Sequence, residues 1–328
     1  MDNKLSSFGP LLIVGTALLW SLDGLIRASS LYALPPVLMS FWEHFLGLFL
    51  IIPFFWSKRH EIKKLTKKDW MPILAIAFFA GPLAGIFYTY ALTQISFANF
   101  SIVVLLQQTQ PIWAILVAGL MLKEKITPKF LVLAAAAMGG VYLIVFKDLV
   151  PNLNTGNGTA LAGTLALLAA VAWGSATSFG KYVLHKVSFG TMAFLRFSLA
   201  SVFSLIIFGI FAGVQSATGA KDIFGKSHEL SQFFSLTTAQ WQNLGLIVLI
   251  SGAGAMLLYY FGLKFTKARV ATICELAWPA SSLIIGVLFF KNTFTSTQIV
   301  GIVLLVSAMI AISLSQREKD VVIPEKEI

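Results

Sequence analysis

Ten times along its 328 residues the chain runs for about 20 mostly apolar residues, the length a helix needs to cross the hydrocarbon core of a bilayer. The runs fall near 8–28, 35–56, 70–92, 97–121, 127–146, 157–181, 187–213, 241–263, 268–290 and 294–314. A soluble fold with this pattern would need a charged surface. Only 12% of the residues are Asp, Glu, Lys or Arg, about half the usual share, while 57% are hydrophobic. A membrane β-barrel is excluded by period, because its spans are about ten residues long and alternate in polarity. The expected fold is all-α and integral to the membrane, with ten transmembrane helices. Gly81-Pro82, Pro111 and Pro279 lie inside these runs. In a bundle, neighbouring groups satisfy the backbone that proline frees, so these positions read as kinks or hinges rather than ends.

The formal charge is +10, but the positive residues do not form a nucleic-acid footprint. They alternate between loops. Lys58, Arg59, Lys63, Lys64, Lys67 and Lys68 fall on the side of the N-terminus, as do Lys123, Lys125, Lys129, Lys181, Lys186, Lys264, Lys267 and Arg269. The opposite side holds Arg27, Lys147, Lys221, Lys226 and Lys291. The positive-inside rule then places both termini in the cytoplasm and the chain in the cytoplasmic (inner) membrane, with lipid as its surroundings. The lone Cys274 excludes a disulfide framework, and no metal-ligand cluster is present in the sequence. No HExxH, GxSxG or Walker A motif appears, so the sequence implies no enzyme, no cofactor and no nucleotide-driven pump.

The chain repeats itself once. GPLAGIFYTYAL (81–92) matches GAGAMLLYYFGL (252–263), with Gly81 over Gly252, Tyr88 over Tyr259 and Leu92 over Leu263. Pro111 and Pro279 sit alike in the next run, and Lys123 and Lys291 close it. Trp20 in LLWSLDG falls over Trp173 in VAWGSAT. The halves are 1–150 and 151–328, joined at 149–158 (LVPNLNTGNG). Within the second, 215–240 reads as an outside loop with a short interfacial helix, and 315–328 as a disordered tail. Five spans per half is an odd number, so tandem halves cross in opposite senses. Inverted five-helix repeats are the architecture of many secondary transporters, with the substrate site near the repeat interface.

Over residues 8–314 this order of elements resembles the EamA-like branch of the drug/metabolite transporter superfamily. The resemblance rests on a Trp in the first span of each half, a small-residue and Tyr-containing third span and a Pro in the fourth. A charged turn leads into LKEKITPKFLVLAAAAMGG (122–140) and FKNTFTSTQIVGIVLLVSA (290–308). The second turn departs from the first, with Asn292 where Glu124 stands. The resemblance implies alternating-access transport of a small metabolite, often an amino acid or amine. A channel or facilitator, and a non-transporting membrane protein, stand as alternatives; neither a filter ring nor a continuous polar line is visible.

Ionisable groups inside a bilayer are expensive and are functional candidates by default. Trp20, Asp23 and Arg27 share one helical face, and Asp23 and Arg27 are placed to pair. Glu43 and His44 are adjacent in the second span, and His44 aligns with Arg196. Arg196 either ties helices together or meets a substrate carboxylate. Glu43 and His44 are candidates for proton coupling as well as for polar packing. VVLLQQTQPIWAIL (103–116) and TICELAWPASSLI (272–284) set Gln107 against Glu275 and Gln110 against Trp278, each just before a proline. These paired segments are the strongest site signal, with Glu275 also a coupling candidate. Tyr88, Tyr90, Tyr259 and Tyr260 read as interfacial anchors at span ends, with Tyr88, Tyr259 and the Trp173 counterpart of Trp20 as candidate substrate contacts. The surplus of mid-span acids (Asp23, Glu43 and Glu275 against Arg196) favours a cationic or zwitterionic substrate.

Overall fold

A computed structural model of the chain describes residues 2–28, 30–93, 100–146, 149, 159–221, 227–290 and 293–317. Ten helical segments are long and apolar enough to span a membrane: Phe8–Arg27, Pro36–Trp56, Lys67–Leu92, Val103–Met121, Pro128–Val145, Ala160–Leu184, Phe189–Thr218, Thr238–Lys264, Ala268–Phe289 and Ser296–Ser315. Among the described residues there is no strand. The seventh span runs on to Thr218 and the eighth starts at Thr238, so the outside loop is shorter than 215–240. It carries one short 3-10 turn, Leu230–Phe233. The last helix continues to Arg317, so residues 315–317 are helical; the rest of the expected tail, most of the joint at 149–158, Lys147, Lys226, Lys291 and Asn292 lie outside the described residues.

The repeat is visible in where the helices break. The third span changes from α-helix over Lys67–Ala75 to the wider π geometry over Ile76–Leu83, then returns to α-helix over Ala84–Thr93. Gly81 there has φ −79° and ψ −106°. The eighth span is α-helical over Thr238–Leu249 and Ala253–Lys264, and Gly252 between them has φ −90° and ψ −112°. The two glycines aligned by sequence thus share one non-helical conformation. Both spans also start alike: the Thr66 N–H donates to Asp69 at 2.7 Å and the Thr237 N–H donates to Gln240 at 2.8 Å. The fourth span breaks between Phe100–Gln107 and Gln110–Met121, the ninth between Ala268–Glu275 and Ala277–Phe290. Pro111 therefore sits in the first turn of a restarted helix, where its missing N–H costs nothing, and Pro279 sits one turn after the ninth span's break.

The halves interlock rather than sit side by side. The first span packs on the eighth and ninth, and the sixth packs on the third and fourth. The second pairs with the seventh, and the fifth with the tenth. The fifth and tenth touch backbone to backbone. A Cβ on Gly140 would lie 2.8 Å from the Gly301 carbonyl oxygen, and one on Gly301 would lie 2.7 Å from that of Gly140. Small residues permit this approach, which is how helices gain contact where lipid removes the hydrophobic drive.

Carboxylates tie the lysine-rich end across the halves. Glu61 accepts the Ser188 N–H at 2.7 Å and the Thr191 hydroxyl at 2.8 Å, capping the seventh span. Glu124 accepts the Ala268 N–H at 2.8 Å and the Arg269 N–H at 3.2 Å, capping the ninth. Both place negative charge at the positive end of a helix dipole. Asp69, fully buried, accepts Lys186 at 2.6 Å and the Tyr182 hydroxyl at 2.9 Å. Lys181 donates to the Leu263 and Lys264 carbonyls that end the eighth span, at 3.1 and 2.8 Å.

Candidate functional site

The helix breaks bring two polar clusters together inside an otherwise apolar bundle. The first is built on the break of the ninth span. Glu275 ends one helix there and is 5% exposed. One of its oxygens accepts the Tyr259 hydroxyl at 2.7 Å and the Thr177 hydroxyl at 3.1 Å. The other accepts the Gln110 amide at 2.9 Å, and Gln107 donates to Gln110 at 3.0 Å. Four spans thus meet on one carboxylate through neutral donors, and each donor proton is directed at it. Charge left unpaired in low dielectric is costly, so such a set must be complete to be tolerated. One end of the ladder is incomplete: among the described residues the buried Gln107 amide oxygen has no partner, and neither has that of Gln108. A buried acceptor without a donor costs roughly 1–3 kcal/mol, which a ligand N–H or O–H would recover.

An aromatic pair flanks this cluster at Tyr259, and its repeat counterpart stands at Tyr88. Trp20 lies 5.4 Å from Tyr259, and Trp173 lies 5.7 Å from Tyr88, ring centre to ring centre. The sequence aligns the two tryptophans and the two tyrosines; the fold crosses them, so each half's Trp meets the other half's Tyr.

The second cluster centres on Arg27, at the far end of the first span. Its guanidinium pairs with Asp23 one turn earlier and with Glu43 of the second span at 2.5 Å. Asp23 also accepts the Ser251 hydroxyl at 2.7 Å, from the break of the eighth span. Beside it lies a cavity of about 90 Å³ lined by Glu43, His44, Arg196, Phe197, Ser251, Gly252 and Met256. His44 faces the Ser40 carbonyl through Nδ1 at 2.8 Å. Arg196 donates to the Ala80 carbonyl at 3.0 Å, on the unwound part of the third span, and to the Tyr260 hydroxyl at 3.2 Å. Its Nε is buried with no partner among the described residues. Tyr259 and Tyr260, adjacent in sequence and 5.6 Å apart between rings, therefore reach one cluster each.

Several expectations change against this geometry. Tyr90, Tyr259 and Tyr260 are not interfacial anchors: they are 0%, 4% and 1% exposed, because the third and eighth spans turn that face into the bundle. Asp23 and Arg27 do pair, but Glu43 shares the same guanidinium. Arg27 therefore offsets one of the three acids counted as surplus. Trp278 takes no part in the hydrogen-bonded ladder; it packs, partly buried, on the main apolar core, because the helix restarts between it and Glu275 and turns it away. Thr177 and Ser251 were not singled out in the sequence, and Tyr260 was read there only as an anchor. Thr177 stands four residues after Trp173 and so shares its helical face, Tyr260 follows Tyr259, and Ser251 precedes Gly252. Each is a small signal beside a stronger one.

Comparison with known proteins follows the same division into halves. The profile described as the EamA-like transporter family matches residues 7–146 and again 161–314. A protein of Fusobacterium nucleatum subsp. nucleatum named "Riboflavin transporter ImpX" is 35% identical over 314 residues, covering 95% of this chain and 99% of that protein. The "Uncharacterized transporter sll1164" of Synechocystis sp. is 25% identical over 273 residues, covering 81% of this chain and 72% of that protein. A crystal structure 16% identical in sequence superposes with a TM-score of 0.70, covering 95% of this chain and 98% of that one, which is a likeness of fold.

Proposed function

The chain belongs to the EamA-like transporter family, and we propose that it is a secondary transporter that carries riboflavin or a closely related flavin by alternating access. The observation that carries this reading is the full-length similarity to a protein named as a riboflavin transporter. The site's chemistry supports it. An isoalloxazine ring is flat and uncharged and carries an imide with one N–H between two carbonyls. The ladder around Glu275 offers neutral amide donors, a Gln107 acceptor without a partner among the described residues and the Trp20–Tyr259 ring pair, a set suited to stacking a flat ring and meeting its polar edge. The lysine-rich end faces the cytoplasm in this proposal, with both termini inside, and the joint between repeats falls at 149–158.

Coupling to protons is part of the proposal, through Glu275 rather than Glu43 or His44. Glu43 is committed to Arg27 and His44 to Ser40. Glu275 has only neutral donors among the described residues, so taking up a proton would reverse one hydrogen bond and loosen four spans at once. Pro111 and Pro279, just beyond the two breaks, are the proposed hinges. Transport of an amino acid or amine is the second reading, favoured by that same carboxylate, whose hydrogen-bond donors among the described residues are all neutral. The test is uptake into proteoliposomes of labelled riboflavin beside a panel of amino acids and amines, with and without a pH gradient. Saturable riboflavin uptake supports the flavin reading. Flux of a panel compound without riboflavin overturns it in favour of the second, and well-folded protein that moves none of them removes both.

A further inference from the structure

We infer that the cavity beside Arg196 binds a neutral polyhydroxy chain, so that a flavin's sugar-alcohol tail occupies it while the ring lies against the Glu275 ladder. This rests on the flavin reading above and assigns the tail to particular residues. The charges around the cavity balance. Arg27 offsets Glu43, and Asp23 offsets Arg196 in sign, so neither a phosphate nor an ammonium finds a net counter-charge. What remains open is hydrogen-bonding capacity. Arg196 Nε is buried and has no acceptor among the described residues. Ser251 spends its proton on Asp23 and keeps its lone pairs. With His44 Nδ1 donating to the Ser40 carbonyl, Nε2 is left as an acceptor, and it lies 3.8 Å from where a Cβ on Gly81 would stand.

One open donor and several open acceptors, in a site without net charge, match a run of hydroxyl groups, each of which both donates and accepts. The cavity of about 90 Å³ has room for a short hydroxylated chain. The route from ring to tail is also built. Tyr259 touches Glu275 and Trp20 on one side, and its neighbour Tyr260 touches Arg196 on the other. A ligand with a flat head and a polyol tail would lie along that dipeptide.

The test compares riboflavin with lumiflavin, the same ring bearing a methyl group in place of the polyol, by quenching of flavin fluorescence on purified full-length protein. Wild type, Ser251→Ala and His44→Phe are titrated with both. The assignment expects each variant to bind riboflavin about tenfold more weakly, the loss of one hydrogen bond to a buried group, with lumiflavin affinity held. Retained lumiflavin binding also reports a folded site, and Ser251→Ala carries the comparison should His44→Phe not fold. Equal weakening for both flavins, or no weakening for either, overturns the tail site and leaves the flavin reading standing. Failure of wild type to bind either flavin overturns the flavin reading and this assignment together.

Discussion

The Trp20 indole from the first half lies 5.4 Å from the Tyr259 ring of the second, and the same contact recurs with halves exchanged between Trp173 and Tyr88 at 5.7 Å. The partners are related by the repeat, but the acid that Tyr259 meets has no acidic counterpart in the first half. Tyr259 donates to Glu275 at 2.7 Å, and the residue over Glu275 in the first half is the neutral Gln107. Tyr259→Phe keeps the ring and removes a donor from a buried carboxylate, a loss of about 1.5–3 kcal/mol for a charge-assisted bond. Uptake at limiting substrate is expected to fall roughly 10- to 100-fold. Tyr88→Phe is expected to change it far less. Initial rates in proteoliposomes at matched protein density decide between them, and equal losses would mean that only the rings matter.

Glu275→Gln tests the coupling role separately from binding. The substitution keeps shape and one acceptor oxygen but can neither gain nor lose a proton. Counterflow, which needs no net proton movement, is expected to persist, while uptake driven by an imposed pH gradient is abolished. Uptake that still responds to the gradient in the variant would assign coupling elsewhere, with Glu43 next in line. Gln110→Leu removes a donor from the same carboxylate, and both modes of transport are expected to fall together.

Most of the fold was legible in the sequence because the bilayer imposes a length on every crossing, and apolar runs of that length leave few alternatives. The inverted repeat was legible because Gly81 and Gly252 keep one backbone conformation and proline follows each break of the fourth and ninth spans. Gln107, Gln110 and Glu275 were found for the same reason: they stand at those breaks. The errors came from side chains whose role depends on a partner in the other half. Hydropathy places Tyr259 and Tyr260 near a span end, and nothing in their own neighbourhood shows that Glu275 and Arg196 draw them inward. Counting acids overstated their surplus for a different reason: Arg27, near a span end, pairs with both Asp23 and Glu43 of its own half.

The cap between Glu61 and the seventh span makes stability depend on pH. Partial burial alone would raise the Glu61 carboxyl, but the Ser188 N–H and the Thr191 and Ser188 hydroxyls outweigh it and hold the group below its usual range. A carboxyl lowered in the folded state contributes stability above its unfolded value of about 4.3, and that contribution is lost as pH falls through the folded value. Glu61→Gln is therefore expected to melt below wild type at neutral pH in detergent, with the gap closing as the pH drops below about 4.3. A gap that stayed constant with pH would show that the carboxylate charge is not what holds the cap.

Gly140 and Gly139 stand side by side on the fifth span and differ in what they face. A Cβ on Gly140 meets the Gly301 carbonyl at 2.8 Å and the Leu305 nitrogen at 2.8 Å, both backbone atoms of the tenth span. Neither can rotate away, so the two helices would have to part. A Cβ on Gly139 meets only the end of Leu304, at 3.9 Å, an ordinary contact. Outside this seam, Gly→Ala in a helix is favourable by up to about 1 kcal/mol. Gly139→Ala is thus expected to leave the melting temperature unchanged or slightly raised, while Gly140→Ala lowers it and reduces the yield of folded protein. Among the described residues the fifth and tenth spans make no hydrogen bond to either polar cluster, so whatever Gly140→Ala protein does fold should bind substrate with wild-type affinity. Weaker binding by that folded fraction would mean that the seam sets the geometry of the central site and is more than a scaffold beside it.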